Sequence, residues 1–427
     1  MRRAKQVVPS KANQVLPLNA LSDRSVAGFQ PNGVVHRFAQ CDNRRGNTMN
    51  NRLRTLEAKG QAIWLDFLDR GFLADGGFTK LIEQDGLTGI TSNPSIFEKA
   101  IVDGSAYNVD IAAIFAGGEV SAAEVYERLA VSDLQAAADA LRPTYDRLDG
   151  ADGFASIEVS PHLAYSTQES VEEARRLWAA VDRPNLMVKI PGTKEGVTAV
   201  RALTAEGINV NITLLFANDM YRAVAEAYMA GLEERAKKGE DVSYVASVAS
   251  FFVSRIDTQI DKAIDARSKA GDPESEALTA LRGKVAIANA KVAYQYYLKQ
   301  IECDRWKTLA GKGARPQRLL WASTGTKDPL YSDVLYVESL IGPNTINTMP
   351  LKTIEAFRDH GRISASVSAD VGAARRVLDE TDRLGLDLTE VTQALVADGI
   401  KSFFKSSDAL LHAIADRREK ILAELAH

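Results

Sequence analysis

Asn185-Leu186-Met187-Val188-Lys189-Ile190-Pro191-Gly192 is an apolar run of strand length, closed by a proline and a glycine and interrupted by a single lysine. Its length and its breakers read as a short buried strand. Burial disfavours an ammonium, so Lys189 is expected to have a lowered pKa and to attack a carbonyl as a free amine, forming a Schiff base. Taken alone, the run leaves a second reading equally open, in which the side chain snorkels from the strand end to solvent.

Seven further apolar runs surround it, at 62–67, 87–92, 156–160, 208–214, 244–250, 318–323 and 345–349. From Gln61 onward they alternate with helix-length amphipathic segments, the signature of βα units on a parallel sheet. Eight such units make a closed (β/α)8 TIM-type barrel the most economical fold, with an open doubly wound sheet as the alternative. Among the intervening segments, 196–205 places Val197, Val200 and Leu203 on one helical face. A helix is expected over 217–230, capped by Asn218 or Asp219. The longest helical run is read at 286–306, with Val292, Tyr296 and Ile301 as its core stripe. Beyond Arg362, additional C-terminal helices carry Phe403, Phe404, Leu410, Leu411 and Ile414, an apolar face expected to pack on the barrel or, in a homodimer, on a second subunit. The stretches 237–241 and 267–276 read as exposed loops.

Composition narrows the class. The chain has 427 residues, 45% hydrophobic and 25% charged, ordinary values for a globular protein, and no apolar stretch reaches the length of a membrane span. A net charge of -4 argues against nucleic acid, so an anionic substrate must be held by local cations and backbone N–H groups. Only Cys41 and Cys303 are present, which suits a reducing, cytoplasmic setting rather than a disulfide framework. Five scattered histidines in no ligand spacing argue against a metal site. Residues 1–48 are Arg-rich, acid-poor and aperiodic, and are expected to form a disordered leader ahead of one barrel domain over 49–427.

Polar residues at the C-terminal ends of barrel strands point into the mouth, where catalytic groups gather. Here Asp66, Asn93, Glu158, Lys189, Asn211, Thr213 and Ser250 recur in consecutive βα units. Two carboxylates, an amine, amides and hydroxyls at one level are suited to handling a carbonyl and a neighbouring hydroxyl. Each also has a structural reading: Asn93-Pro94 as a helix start, Glu158 as an exposed alternate residue, Asn211 and Thr213 as interior polar packing.

The blocks that carry these residues resemble the transaldolases in their longer bacterial form. They are Ile63-Trp64-Leu65-Asp66-Phe67, Gly86-Leu87-Thr88-Gly89-Ile90-Thr91-Ser92-Asn93-Pro94-Ser95-Ile96-Phe97, Ser156-Ile157-Glu158-Val159-Ser160, Met187-Val188-Lys189-Ile190-Pro191-Gly192-Thr193, Asn209-Val210-Asn211-Ile212-Thr213-Leu214-Leu215-Phe216, Ser250-Phe251-Phe252-Val253-Ser254-Arg255-Ile256 and Trp321-Ala322-Ser323-Thr324-Gly325-Thr326-Lys327. The resemblance implies cofactor-free transfer of a dihydroxyacetone unit between sugar phosphates, from sedoheptulose 7-phosphate to glyceraldehyde 3-phosphate, in the non-oxidative pentose phosphate pathway. It implies Lys189 as the Schiff-base nucleophile and Asp66 as the acceptor of the C4 hydroxyl proton. Glu158 would be the acid/base, working through a water held by Thr213. Asn93, Asn211 and Ser250 would hold substrate hydroxyls, and Arg255 would bind phosphate with help from Ser323 and Lys327. The residue-level alternative for Arg255 is an ion pair with Asp257 or Asp261.

Two rival functions remain at this stage. A fructose-6-phosphate aldolase uses the same scaffold, but the related aldolases carry Gln and Tyr where this chain has Glu158 and Phe252. A non-catalytic sugar-phosphate-binding barrel would have no need of an amine set between Asp66 and Glu158.

Overall fold

The structure, a computed structural model, describes residues 51–103 and 105–425. The expected leader over 1–48 lies outside the described residues. Eight strands run in chain order: β1 (Gln61–Asp66), β2 (Gly89–Thr91), β3 (Phe154–Glu158), β4 (Leu186–Pro191), β5 (Val210–Leu215), β6 (Ser247–Phe252), β7 (Arg318–Ala322) and β8 (Thr345–Met349). Each pairs in parallel with its neighbour, and β8 returns to β1, so the sheet is a closed barrel. The open-sheet alternative is excluded.

The decisive run behaves as its composition requires. All six residues of β4 are buried, and Leu186, Met187, Val188 and Ile190 are fully enclosed. Each such side chain contributes about 1.5–3 kcal/mol, so together they are of the same order as the penalty, several kcal/mol per ion, of carrying an ion pair out of water. Beyond Pro191 the chain turns tightly into the helix Lys194–Glu206, whose cap is Thr193, with Oγ1 accepting from Gly196 N at 3.0 Å. Gly196 has no alternative here, because a Cβ on it would meet the Pro191 carbonyl oxygen at 2.0 Å. Register then sets Glu158, Lys189 and Asn211 side by side across β3, β4 and β5.

Several local expectations are corrected. The helix after β5 runs Asn218–Lys237 and its cap position is Ala217, with no side-chain cap. Asn218 instead uses its Nδ2 on the Asn289 side chain at 2.6 Å, a tertiary bond that outcompetes the local one. The 286–306 run is two helices, Val285–Glu302 and Asp304–Ala310, separated by the extended residue Cys303, whose Sγ accepts from Trp306 N. Ala286, Ala290, Ala293 and Tyr297, rather than Val292, Tyr296 and Ile301, form the buried face of the first. Residues 267–269 close the helix Ser254–Lys269 and are not loop. Among the described residues the longest helix is the C-terminal one, Leu388–Leu425, with 38 residues. Phe403, Leu410 and Ile414 on it are buried against the barrel's own helices, while Phe404 and Leu411 of the same expected face are half-buried. No helix among the described residues is long and apolar enough to cross a membrane.

Candidate active site

At the C-terminal mouth of the barrel lies a cavity of about 620 Å³. Lys189 projects into it from β4 with its side chain only 6% exposed, so the snorkelling alternative is not realised. Its Nζ donates to the Ser92 carbonyl at 2.8 Å and lies 2.9 Å from Glu158 Oε2. The carboxylate is the ion-pair partner of the amine, and apart from that contact both Glu158 oxygens are buried with no hydrogen-bond donor. Thr213 Oγ1 is also buried without one. Orphaned buried polar atoms are rare in native proteins, and beside an active cavity they fit a water or a reacting group.

Asp66 enters from β1, where its Oδ1 accepts from Thr91 Oγ1 at 2.9 Å; Thr91 in turn meets Thr348 Oγ1 at 2.9 Å. Burial pushes the Asp66 carboxyl above its usual range, and the nearby Lys189, the Thr91 hydroxyl, Arg255 and Lys327 only partly offset this. Burial raises Glu158 likewise, against the pull of Lys189, and the Asp66 charge adds to the rise. Two acids that hold protons more firmly than free carboxylates therefore flank one amine. That arrangement can give and take protons at a carbonyl carbon and at its neighbouring hydroxyl.

The anion-binding groups sit across the mouth. Arg255 is the second residue of the helix Ser254–Lys269, whose N-terminus has no side-chain cap. Its guanidinium stacks over the Phe252 ring, Cζ to centroid 5.3 Å. Burial holds it below its usual pKa, offset in part by Asp66. The alternative ion pairs are not formed: Asp257 is engaged by Ala286 N and Tyr336 OH, and Asp261 by Gly283 N and Tyr331 OH. A desolvated guanidinium at the positive end of a helix suits a phosphate. Ser323 reaches the same wall with a left-handed backbone, φ 54°, and its hydroxyl meets Ser254 Oγ at 3.0 Å. Lys327 is exposed at the rim, where the cavity meets a second groove of about 490 Å³.

Nine of the residues named from the sequence line the cavity: Asp66, Asn93, Lys189, Thr213, Ser250, Phe252, Arg255, Ser323 and Lys327. Asn93 also caps the helix Pro94–Asp103, accepting from Ile96 N at 3.0 Å. Glu158 lies behind Lys189. Asn211 is fully buried beneath the wall, bridging Ser250 Oγ at 2.7 Å and Ser156 Oγ at 3.2 Å, so it orients Ser250 rather than facing the cavity. Sequence reasoning missed the Ser92 carbonyl, Thr91 and Thr348, and Ser402 and Phe403 from the C-terminal helix. Thr91 was findable from its alternate position in β2; nothing local marks Phe403. Among the described residues, no three His, Cys, Asp or Glu side chains converge to hold a metal ion.

Residues 63–414 match the family model described as transaldolase/fructose-6-phosphate aldolase. The chain is 46% identical over 375 residues to a transaldolase of Trichodesmium erythraeum, covering 87% of this chain and 98% of that protein. It is 46% identical to a transaldolase of Thermobifida fusca, covering 86% and 99%, and 48% identical to one of Thiobacillus denitrificans, covering 83% and 97%.

Proposed function

As a member of the transaldolase/fructose-6-phosphate aldolase family this chain is a transaldolase, and we propose that it works through a Schiff base on Lys189. The single observation that carries the proposal is the Lys189 amine, buried at the barrel mouth between Glu158 and the Ser92 carbonyl and open to the cavity shared with Asp66.

The donor is a ketose phosphate such as sedoheptulose 7-phosphate or fructose 6-phosphate. Lys189 passes its proton to Glu158 and attacks the C2 carbonyl. Glu158, through a water held on the free hydroxyl of Thr213, returns a proton to the departing carbinolamine oxygen and water leaves, giving the protonated imine. Asp66 takes the C4 hydroxyl proton, the C3–C4 bond breaks, and its electron pair enters the imine to form an enamine. An aldose phosphate departs and a second one, such as glyceraldehyde 3-phosphate or erythrose 4-phosphate, arrives. The steps then run in reverse. Asn93 and Ser250 hold sugar hydroxyls, with Asn211 fixing Ser250, while Arg255, Ser323 and Lys327 hold the phosphate. Aiming each group in advance lowers the barrier because no solvent must reorganise during reaction. A cytoplasmic setting, where sugar phosphates meet a reducing environment, belongs to the same proposal.

Incubation with fructose 6-phosphate followed by borohydride reduction and peptide mass mapping tests it. A dihydroxyacetone adduct is expected on Lys189. An adduct on another lysine, or none, refutes the assignment. Turnover of fructose 6-phosphate should also depend on added erythrose 4-phosphate; release at a comparable rate without acceptor would mark an aldolase instead.

A further inference from the structure

The C-terminal helix crosses the barrel mouth with Gly399, Ser402, Phe403 and Ser406 on one face, at the i, i+3, i+4, i+7 spacing of a helical stripe. Ser402 and Phe403 form part of the cavity wall, and Phe403 is 5% exposed. Ser406 Oγ meets Ser95 Oγ at 2.7 Å, tying this face to the helix after β2. On the adjoining face Phe404 stacks on His162, ring centroids 4.5 Å apart, and Asp408 accepts from or pairs with His162 Nε2 at 3.0 Å, tying the helix to the segment after β3. The helix is thus fastened to two of the segments that surround Lys189.

Gly399 shows that this placement has been favoured over helix stability. A glycine inside a helix costs about 1 kcal/mol relative to alanine. Here a Cβ would lie 2.8 Å from Leu214 Cδ2 and 3.7 Å from Arg255 Nη1. Leu214 itself has φ 58° at an irregularity in the β5–β6 register, one residue beyond Thr213. The helix therefore approaches most closely beside both the strained end of β5 and the guanidinium. Phe403 lies one turn farther along the same face.

We propose that this stripe is the specificity-determining roof of the site, with Phe403 keeping water from the carbon nucleophile so that the three-carbon unit leaves by transfer and not by hydrolysis. The inference rests on the Schiff-base reading of Lys189. In the competing hydrolysis, the enamine carbon takes a proton, giving the iminium. One water then adds at C2, dihydroxyacetone departs with that oxygen as its carbonyl, and a proton is returned as the amine is regenerated. Net consumption is one water. An apolar wall over the enamine starves this route of both solvent proton and water.

The test measures the ratio of dihydroxyacetone released without acceptor to transfer onto erythrose 4-phosphate, in the parent and in Phe403→Ala, Phe403→Leu and Gly399→Ala. Phe403→Ala should raise the ratio by about tenfold with borohydride trapping on Lys189 intact, since a barrier change of this order follows from opening a dry site. Phe403→Leu, which keeps an apolar roof, should stay near the parent, and Gly399→Ala, which displaces the helix, should move in the direction of Phe403→Ala. A ratio unchanged in Phe403→Ala, with both rates falling together, overturns the proposal and leaves Phe403 a packing residue. Should Phe403→Ala fail to fold, an unchanged ratio in Gly399→Ala overturns it equally. Absence of an adduct in the parent is a separate outcome, and it refutes the Schiff-base reading instead.

Discussion

Replacing Asp257 by asparagine should flatten the pH dependence of stability between about pH 4 and about pH 7. Asp257 is 1% exposed on the helix that begins beside Arg255, with Oδ1 accepting from Ala286 N at 2.8 Å and Oδ2 from Tyr336 OH at 3.0 Å. Those bonds favour the carboxylate, but burial outweighs them and the neighbouring Asp261 adds to the effect, so its pKa is pushed up to about 7. A folded value above the unfolded one means that the associated stability is complete below the unfolded pKa of 3.8 and is lost as pH rises through about 7. The full difference corresponds to about 4 kcal/mol, of which about 3 kcal/mol falls between about pH 5 and about pH 9. Asparagine keeps the shape and cannot ionise; its Oδ1 accepts from Ala286 N, and Tyr336 can rotate its hydroxyl to accept from Nδ2. Equilibrium urea unfolding of parent and Asp257→Asn at the two pH values gives the comparison. The variant should gain on the parent by about 3 kcal/mol across that window. Parallel curves, with the difference between the proteins changing by less than about 1 kcal/mol, would refute the account of Asp257 as a carboxylate ionised against burial.

Three functional predictions follow from the site. Lys189→Met should abolish both borohydride trapping and transfer while leaving Glu158 buried without its counter-charge, so retention of trapping would remove Lys189 from the mechanism. Glu158→Gln should slow imine formation by about 10²–10⁴-fold, the usual worth of a positioned acid/base; because the Glu158 pKa is raised and the group must be ionised to take the Lys189 proton, the parent's rate should rise as pH climbs through that pKa and the variant's should lack this limb. Arg255→Ala should raise KM for fructose 6-phosphate by about 10–10²-fold, as expected for a lost charge-assisted pair, with little change toward free fructose; equal losses on both sugars would show that Arg255 serves the fold and not the phosphate.

Most of the ring around Lys189 was readable because strand ends in a parallel barrel share one address. Asp66 and Lys189 are marked by polar residues interrupting apolar runs, and the run 345–349 coincides with β8 to the residue because Pro350 stops it. Asn211 was legible as an inward residue but not as a buried bridge: period 2 gives the face, whereas depth below the cavity depends on Ser250 and Ser156 from neighbouring strands. The break at Cys303 escaped notice because cysteine carries no strong helix-stop signal, and its extended backbone is fixed by the turn into Asp304–Ala310.

Burial patterns and chain breakers act within a few residues, so the residues alone carry the eight-unit alternation and the polar groups at matching strand ends, while the burial of Lys189 stays open until the barrel closes. Only the tertiary structure decided that Glu158 lies 2.9 Å from that lysine, that Asp257 and Asp261 leave Arg255 unpaired, and that a helix more than 200 residues beyond Lys189 roofs the cavity with Phe403. Such relations join side chains far apart along the chain. They are set by barrel closure and helix packing, which leave no periodic trace in the residues themselves.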